Sequence, residues 1–438
     1  MDTRTDIHQH ERDFRRPVAL NTTVKKMEFF VKRTFVGFGF GPIQSGLFAK
    51  EAAGAGRFDE IVVAEVDAAL VDALRRNNDT YTVNVAHADR VEATTIRGVK
   101  LLNPSVPEDA ERLRAALSAA TEIATSLPSV AFYTRNGAAS IAALIARGLC
   151  ANPQGQTVIY TAENNNHAAE ILHGAVTGAA GAGAALRPCQ FLNSVIGKMS
   201  QVITDPHEIT RRNLSPIVPG FQRAFLVETF NRILISKITL PGFEPGIRAF
   251  EEKADLLPFE EAKLYGHNAI HAALGFLGKS LGVTSLADLR HDAQTMALAR
   301  QAFVDEIGTA LVRKHAHLND PLFTRDGFAA YADDLLGRIT NPHLADTVER
   351  AIRDPLRKLN ADDRIFGAIR QCLARGIEPH ALAHAAAAAL RVLPLLPEWV
   401  PCAPSPGITA TLTQLWGDDA PPPTEMAHLV SLLSASHS

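Results

Sequence analysis

The run Thr34-Phe35-Val36-Gly37-Phe38-Gly39-Phe40-Gly41-Pro42-Ile43-Gln44-Ser45-Gly46 passes from a β-prone stretch directly into a glycine-rich turn. Ala49-Lys50-Glu51-Ala52-Ala53 continues as a helix, Gly54-Ala55-Gly56 ends it, and the next apolar run, Ile61-Val62-Val63-Ala64, closes on an acid, Glu65. Few folds accept that order. A strand, a turn whose backbone can approach a pyrophosphate, a helix and a second strand ending on a carboxylate describe a dinucleotide-binding unit. Glycine is required in the turn because a Cβ would hold the phosphates away from the N–H groups at the helix start.

Glu65 lies 24 residues after Gly41, close to the interval expected of a carboxylate that hydrogen-bonds ribose hydroxyls. It favours NAD over NADP, since a 2′-phosphate would meet a like charge. The cofactor-binding candidates are Gly37, Gly39, Gly41, Ile43, Gln44 and Glu65. The fingerprint is imperfect. Read from Gly39 its third glycine is Gln44, and read from Gly37 the third position is Pro42. That glycine normally permits close helix–strand packing, so Gln44 is expected to push the first helix outward or to reach the cofactor itself. A purely structural βαβ turn is the competing reading.

The length of 438 residues favours two domains. From Val31 to about Leu226, short strands (candidates 34–37, 60–64, 129–133, 157–161 and 224–226) alternate with helical stretches, which predicts a mostly parallel sheet covered by helices. Residues 174–185 are nearly all glycine and alanine, a pattern that suits either a helix–loop element packed on the sheet or a surface loop. After Asn231 helical periodicity dominates, over 258–277, 285–312, 327–338, 344–354, 364–375 and 380–391. The expected organisation is a flexible extension over 1–30, a dinucleotide-binding domain over 31–229, a helical domain over 230–392 and a proline-rich tail over 393–438. The tail reads as a peripheral appendage with a short helix around 426–433.

A net charge of −3 gives no reason to expect nucleic-acid or anionic-membrane binding. No apolar run approaches the ~18 residues of a membrane span. The N-terminus lacks the apolar core of a secretion signal. Cys150, Cys189, Cys372 and Cys402 show no metal or redox spacing and suit a reducing cytoplasm. The expected partner is a small molecule.

The densest polar cluster of the helical half is Glu260-Glu261-Ala262-Lys263-Leu264-Tyr265-Gly266-His267-Asn268-Ala269-Ile270-His271. At helical spacing Lys263, Asn268 and His271 fall roughly on one side, with Glu260 one turn before Lys263. Interconverting a ketone and an alcohol without metal needs a proton acceptor and donors that polarise the carbonyl. A lysine serves as acceptor once burial or a nearby cation lowers its pKa, and an asparagine amide suits the developing alkoxide. The bland alternative is an amphipathic helix with a solvated Glu/Lys face. A metal site is not indicated: the pairs His267/His271 and His380/His384 lack the glutamate of H-E-x-x-H and an evident third ligand.

The order of these segments resembles the polyol-specific long-chain dehydrogenases, most closely their mannitol-phosphate branch. Lys263, Asn268 and His271 match that family's Lys-x4-Asn-x2-His signature. Val227-Glu228-Thr229-Phe230, Leu336-Gly337-Arg338…Asn341-Pro342-His343-Leu344 and Asp354-Pro355-Leu356-Arg357-Lys358-Leu359…Asp363-Arg364 are similar as well, so the likeness spans about residues 31–392. It implies an α/β Rossmann-type domain followed by an all-helical domain of the 6-phosphogluconate-dehydrogenase-like kind, with the active site in the cleft between them. It further implies Lys263 as general acid/base, Asn164 and Asn268 as donors to the oxygen, His271 orienting the substrate and Glu260 as a proton relay. NAD is the implied cofactor, and mannitol 1-phosphate with fructose 6-phosphate the lead substrate pair. Arg357 and Lys358 are candidate phosphate ligands, or structural partners of Asp354 and Asp363.

The chain departs from the family at Gln44, at Leu127-Pro128-Ser129 and at Ser194-Val195-Ile196-Gly197-Lys198. These departures suggest retained hydride chemistry on an unphosphorylated polyol or another secondary alcohol. They also leave room for a non-catalytic NAD(H) sensor or scaffold.

Overall fold

A computed structural model describes residues 33–392 and 406–435. The expected extension over 1–30, the proline-rich stretch 393–405 and Cys402 lie outside the described residues. Six parallel strands form the main sheet in the order Val99–Leu102, Glu60–Ala64, Thr34–Phe38, Ala120–Thr125, Thr157–Thr161, Cys189–Leu192. Read along the chain this is 3-2-1-4-5-6, the doubly wound dinucleotide-binding order. The central strand Thr34–Phe38 is buried along its whole length, as a parallel strand covered on both faces must be. Its alternation divides the core. Phe35 packs with Leu47 and Phe48 on one face, while Val36 and Phe38 meet Leu113, Ile145 and Leu149 on the other.

A second, mixed sheet of Ser200–Ile203, Ala224–Glu228, Thr80–Ala86 and Val91–Arg97 lies over the first face. A third joins Phe250–Lys253, Ile233–Ser236 and Ser194–Ile196. The expected strand at 224–226 therefore exists, in the second sheet rather than the parallel one. The strand expected at 129–133 does not form. Ser129 caps a 3-10 turn, Val130–Phe132, by accepting from the Ala131 N–H. The fourth parallel strand is Ala120–Thr125, a mild Ala/Thr sequence drawn into β structure by neighbours on both sides. The glycine/alanine run is a helix–loop element: Ala168–Ala180 is helical with Leu172 and Val176 buried, and Gly181 ends it at φ 85°.

β structure continues to Lys253 and helices begin at Leu257, later than the change of character expected at Asn231. The two strands in between are four residues each and separated by a Pro/Gly-containing loop, too short for their period to register. From Leu257 to Ser280 the chain is helical without a break, but its middle, Ala262–Asn268, is wound as a π-helix. Around this helix pack Arg325–Ile339, Arg364–Leu373 and His380–Val392. No helix among the described residues is long and apolar enough to cross a membrane. Cys150, Cys189 and Cys372 are unpaired.

The C-terminal segment is not peripheral. Helices Pro406–Trp416 and Pro423–Ala435 insert Ile408, Leu412, Trp416, Leu429 and Leu433 into the core of the helical half. Trp416 stacks edge-on against Phe366 and donates its indole N–H to the Leu359 carbonyl at 2.7 Å. The small, proline-spaced apolar runs of this tail mask that amphipathicity. Trp416→Ala is expected to cost about 3–5 kcal/mol, the usual penalty for deleting a buried aromatic. A denaturant titration checks it; a peripheral tail would give no change in midpoint.

Candidate active site

The glycine turn leaves the end of Thr34–Phe38 with Gly39 at φ 78°, and a Cβ there would stand 2.7 Å from the Ser126 carbonyl oxygen. Only glycine fits. Gly41 faces open space instead, with nothing within 4 Å of where a Cβ would be. Glu65 closes the second strand and clasps the turn: it accepts from the N–H of Phe40 at 2.7 Å and, on its other oxygen, from Val66 at 2.7 Å and Asp67 at 2.9 Å. An open glycine backbone at a helix start, with a fixed carboxylate at the tip of the next strand, fits a dinucleotide.

Gln44 neither reaches outward nor leaves the fold. It opens a π-helical turn, Gln44–Phe48, and its fully buried side chain folds back over Gly37, into the space a Cβ would take. Close packing has moved two residues on, to Gly46, where a Cβ would sit 2.6 Å from Val227. The widened turn reconciles the two positions: it accommodates the amide and still seats the helix on the second sheet. Ile43, half-buried, packs against the core on that side.

At the carboxyl ends of the parallel strands, Glu163 lies just beyond Thr157–Thr161. It accepts from Thr125 Oγ1 and the Leu127 N–H, each at 2.9 Å, and from the Tyr133 hydroxyl. Burial pushes its carboxyl above the usual range despite those donors. This network ties the departing Leu127-Pro128-Ser129 turn to the loop that carries Asn164.

Asn164 faces the helical half. Its Oδ1 lies 3.5 Å from Lys263 Nζ. Lys263, Asn268 and Glu260 line one polar cavity of about 200 Å³ with Asn164, Arg357 and Arg364. Five residues turn a regular α-helix by about 140°, so Lys263 and Asn268 would not share a side of an α-helix as the sequence reading expects. In the π segment the N–H of Ala269 reaches back five residues to Leu264, so residues five apart stand over one another. Burial lowers the Lys263 ammonium to about 8, with Arg364 adding to the effect and Glu260 opposing it. Burial likewise raises the Glu260 carboxyl to about 7, with His167 and Lys263 opposing the rise.

Two expected residues are not brought into this cavity. The extra backbone in the π turn rotates the helix beyond it, and His271 turns to Asp346, Nε2 to Oδ2 at 2.8 Å. Burial would raise the Asp346 carboxyl, but His271 and Arg350 (2.8 Å) hold it at about 2. Lys358 donates to the Ala351 carbonyl at 2.6 Å and is buried away from the cavity, whereas Arg357 lines it, paired with Asp354 at 2.6 Å. Arg364 was missed by sequence reasoning. It is a buried guanidinium in the cavity wall, 2.6 Å from Asp363. Its visible signals were the doublet Asp362-Asp363 before it and its place at the end of the family-like segment. Among the described residues no group of three or more His, Cys, Asp or Glu is placed to hold a metal.

Residues 255–393 match the model of the mannitol dehydrogenase C-terminal domain. The chain is 30% identical over 359 residues to the mannitol-1-phosphate 5-dehydrogenase of Arthrobacter sp. (strain FB24), covering 81% of this chain and 85% of the relative. It is equally similar, over 360 residues, to the protein of that name from Brevibacillus brevis. In fold it resembles a D-sorbitol dehydrogenase in substrate-free form (TM-score 0.71, 15% identity, 92% of both chains). It also resembles the Pseudomonas fluorescens mannitol 2-dehydrogenase in a ternary complex with NAD and D-mannitol (TM-score 0.65, 15% identity, 93% of this chain and 91% of that one).

The lowered Lys263 pKa is a cost to folding. The folded chain disfavours the ammonium, so the penalty is complete below about pH 8 and fades as pH rises toward the unfolded value of 10.5. Lys263→Met is expected to be more stable at pH 7 by on the order of 2 kcal/mol, less than the full shift because the side chain is partly exposed. Denaturant midpoints across pH check this; a variant no more stable than wild type places Lys263 in water.

Proposed function

The chain belongs to the mannitol dehydrogenase family, and we propose that it is an NAD(H)-dependent, metal-independent oxidoreductase that interconverts a polyol, or its phosphate, and the ketose. The observation that carries this reading is the convergence of Lys263, Asn164, Asn268 and Glu260 on one cavity, with an amine that titrates near neutrality. Gly39, Gly41 and Glu65 would hold NAD, which would supply the two-electron hydride acceptor or donor.

The chain's own residues handle the proton and the oxygen. Neutral Lys263 takes the carbinol hydroxyl proton. With its Oδ1 toward Lys263, the Asn164 amide is left to donate its NH2 to the oxygen, as does Asn268. In the reverse direction the Lys263 ammonium returns the proton. Glu260, one turn away and with a carboxyl at about 7, passes it between Lys263 and solvent. His271 acts through Asp346 as a positioning residue, fixing the helix that carries Lys263. No Lewis acid is needed, so a chelator is expected to leave the rate unchanged.

The names of the relatives support mannitol 1-phosphate and fructose 6-phosphate as the lead pair. One observation favours an unphosphorylated polyol: both guanidinium groups in the cavity already hold a carboxylate. Following nicotinamide absorbance with fructose 6-phosphate and fructose side by side separates the two. Turnover on the phosphate alone supports the first, turnover on fructose the second, and bound NADH without turnover on any ketone overturns the catalytic reading.

Lys263→Ala is expected to lower kcat roughly 10²–10⁴-fold with little change in NADH affinity. Oxidation needs the free amine, so its rate should rise as pH passes about 8, while ketone reduction falls over the same interval. Near-wild-type turnover of the variant removes Lys263 from the mechanism. NADPH is expected to be about 10²-fold poorer than NADH in kcat/KM. Glu65→Gln should narrow that ratio.

A further inference from the structure

Lys263 lines a second cavity as well. This chamber, of about 440 Å³, shares Lys263 and Val195 with the polar one. Its wall is of another chemistry, more apolar than polar, with Phe230, Leu234, Phe259, Leu322, Ala330 and Tyr331 among the residues that line it. The charged groups at its edge are mutually committed. Arg338 donates to Glu228 at 2.7 and 2.8 Å, to the Gly197 carbonyl at 2.6 Å and to Asp334 at 3.1 Å, and lies 3.7 Å over the Phe230 ring. Arg232 is held by Glu251 at 2.8 Å. Burial, reinforced by Arg338, keeps the His267 imidazole well below its ordinary pKa, hence neutral.

A polyol hydroxyl entering this chamber would find the Lys263 amine, the Tyr331 hydroxyl and the His267 imidazole as partners, and elsewhere would give up water for an apolar wall. A polyol phosphate reaching from Lys263 into the polar cavity leaves the chamber without an occupant. We propose that the chamber receives an apolar, ring-sized substituent, so that the enzyme also acts on secondary carbinols and ketones flanked by a short polar end on one side and an aromatic or branched hydrocarbon group on the other. The proposal rests on the chemistry assigned to Lys263 above. The reaction balances in the same way: ketone, NADH and one proton give the carbinol and NAD, with the proton delivered from Lys263.

The test measures binding first, by calorimetry, because binding does not depend on turnover. Hydroxyacetone and 1-hydroxy-4-phenyl-2-butanone share the polar end and differ in the hydrocarbon. The phenyl compound is expected to bind about 10²-fold tighter, the gain for burying a ring of that size. Ala330 is exposed at the edge of the chamber, so Ala330→Phe can fill the space without disturbing the core. The phenyl-to-methyl affinity ratio should fall toward unity in that variant, whose melting temperature is measured alongside. Equal binding of the two ketones, or a ratio that Ala330→Phe leaves intact, overturns the assignment of the chamber. NADH oxidation with the same ketones forms the second arm. If the phenyl compound binds as expected but neither it nor fructose 6-phosphate nor fructose is reduced, the catalytic reading of Lys263 falls while the chamber stands as a binding site.

Discussion

One π-wound turn in an otherwise regular helix is the element on which the cleft is built. Without it Lys263 and Asn268, five residues apart, would face different neighbours; with it they share a cavity, and His271 is carried round to Asp346. The turn is held from outside. Gly266 sits so close under Phe303 that a Cβ would lie 2.7 Å from its ring, and Phe303 is itself locked edge-on against Phe328 and Tyr331. A wide helical turn is intrinsically uncommon, and here tertiary packing supplies what local propensity does not.

The second requirement is an amine kept near neutrality without a strong ion pair. Lys263 meets Asn164 only at 3.5 Å and has Glu260 and Arg364 acting on it in opposite senses. Desolvation therefore decides its state. The same reasoning distinguishes it from Lys358, which is also lowered to about 8 by burial and neighbouring arginines yet spends its ammonium on a backbone carbonyl. A shifted lysine marks a site only when geometry puts it in a cavity.

Much of this was legible in the sequence, for identifiable reasons. The strand–turn–helix–strand run with Glu65 carried its own geometry, because glycine positions and a terminal acid are local signals. The polar cluster 260–271 was visible on its helix, while Asn164 came only through the likeness to the polyol dehydrogenases. The features that could not be read depended on partners distant in the chain. Ala120–Thr125 is a strand because two other strands flank it, and 129–133 is not because Ser129 caps a turn. The rotation of His271 depends on a π turn no period announces. Gly46 takes over close packing from the third fingerprint position only because Val227 lies above it. The apolar chamber gathers residues from 195 to 338, so its character is a property of the fold rather than of any segment.

The depth of the last two helices has a bearing on how the chain acquires its structure during synthesis. The parallel sheet has all its strands once Leu192 has emerged and the two sheets that complete its core end at Lys253, so the cofactor half can fold while the helical half is still being made. The helical half is different in kind, since Ile408, Leu412, Trp416 and Leu429 belong to the same core as Leu274 and Phe303. Its apolar surfaces stay incompletely covered until residues 406–435 have left the ribosome. The helix that carries Lys263 is thus made well before it is secured, and the interval between is when the nascent chain is most open to misassociation.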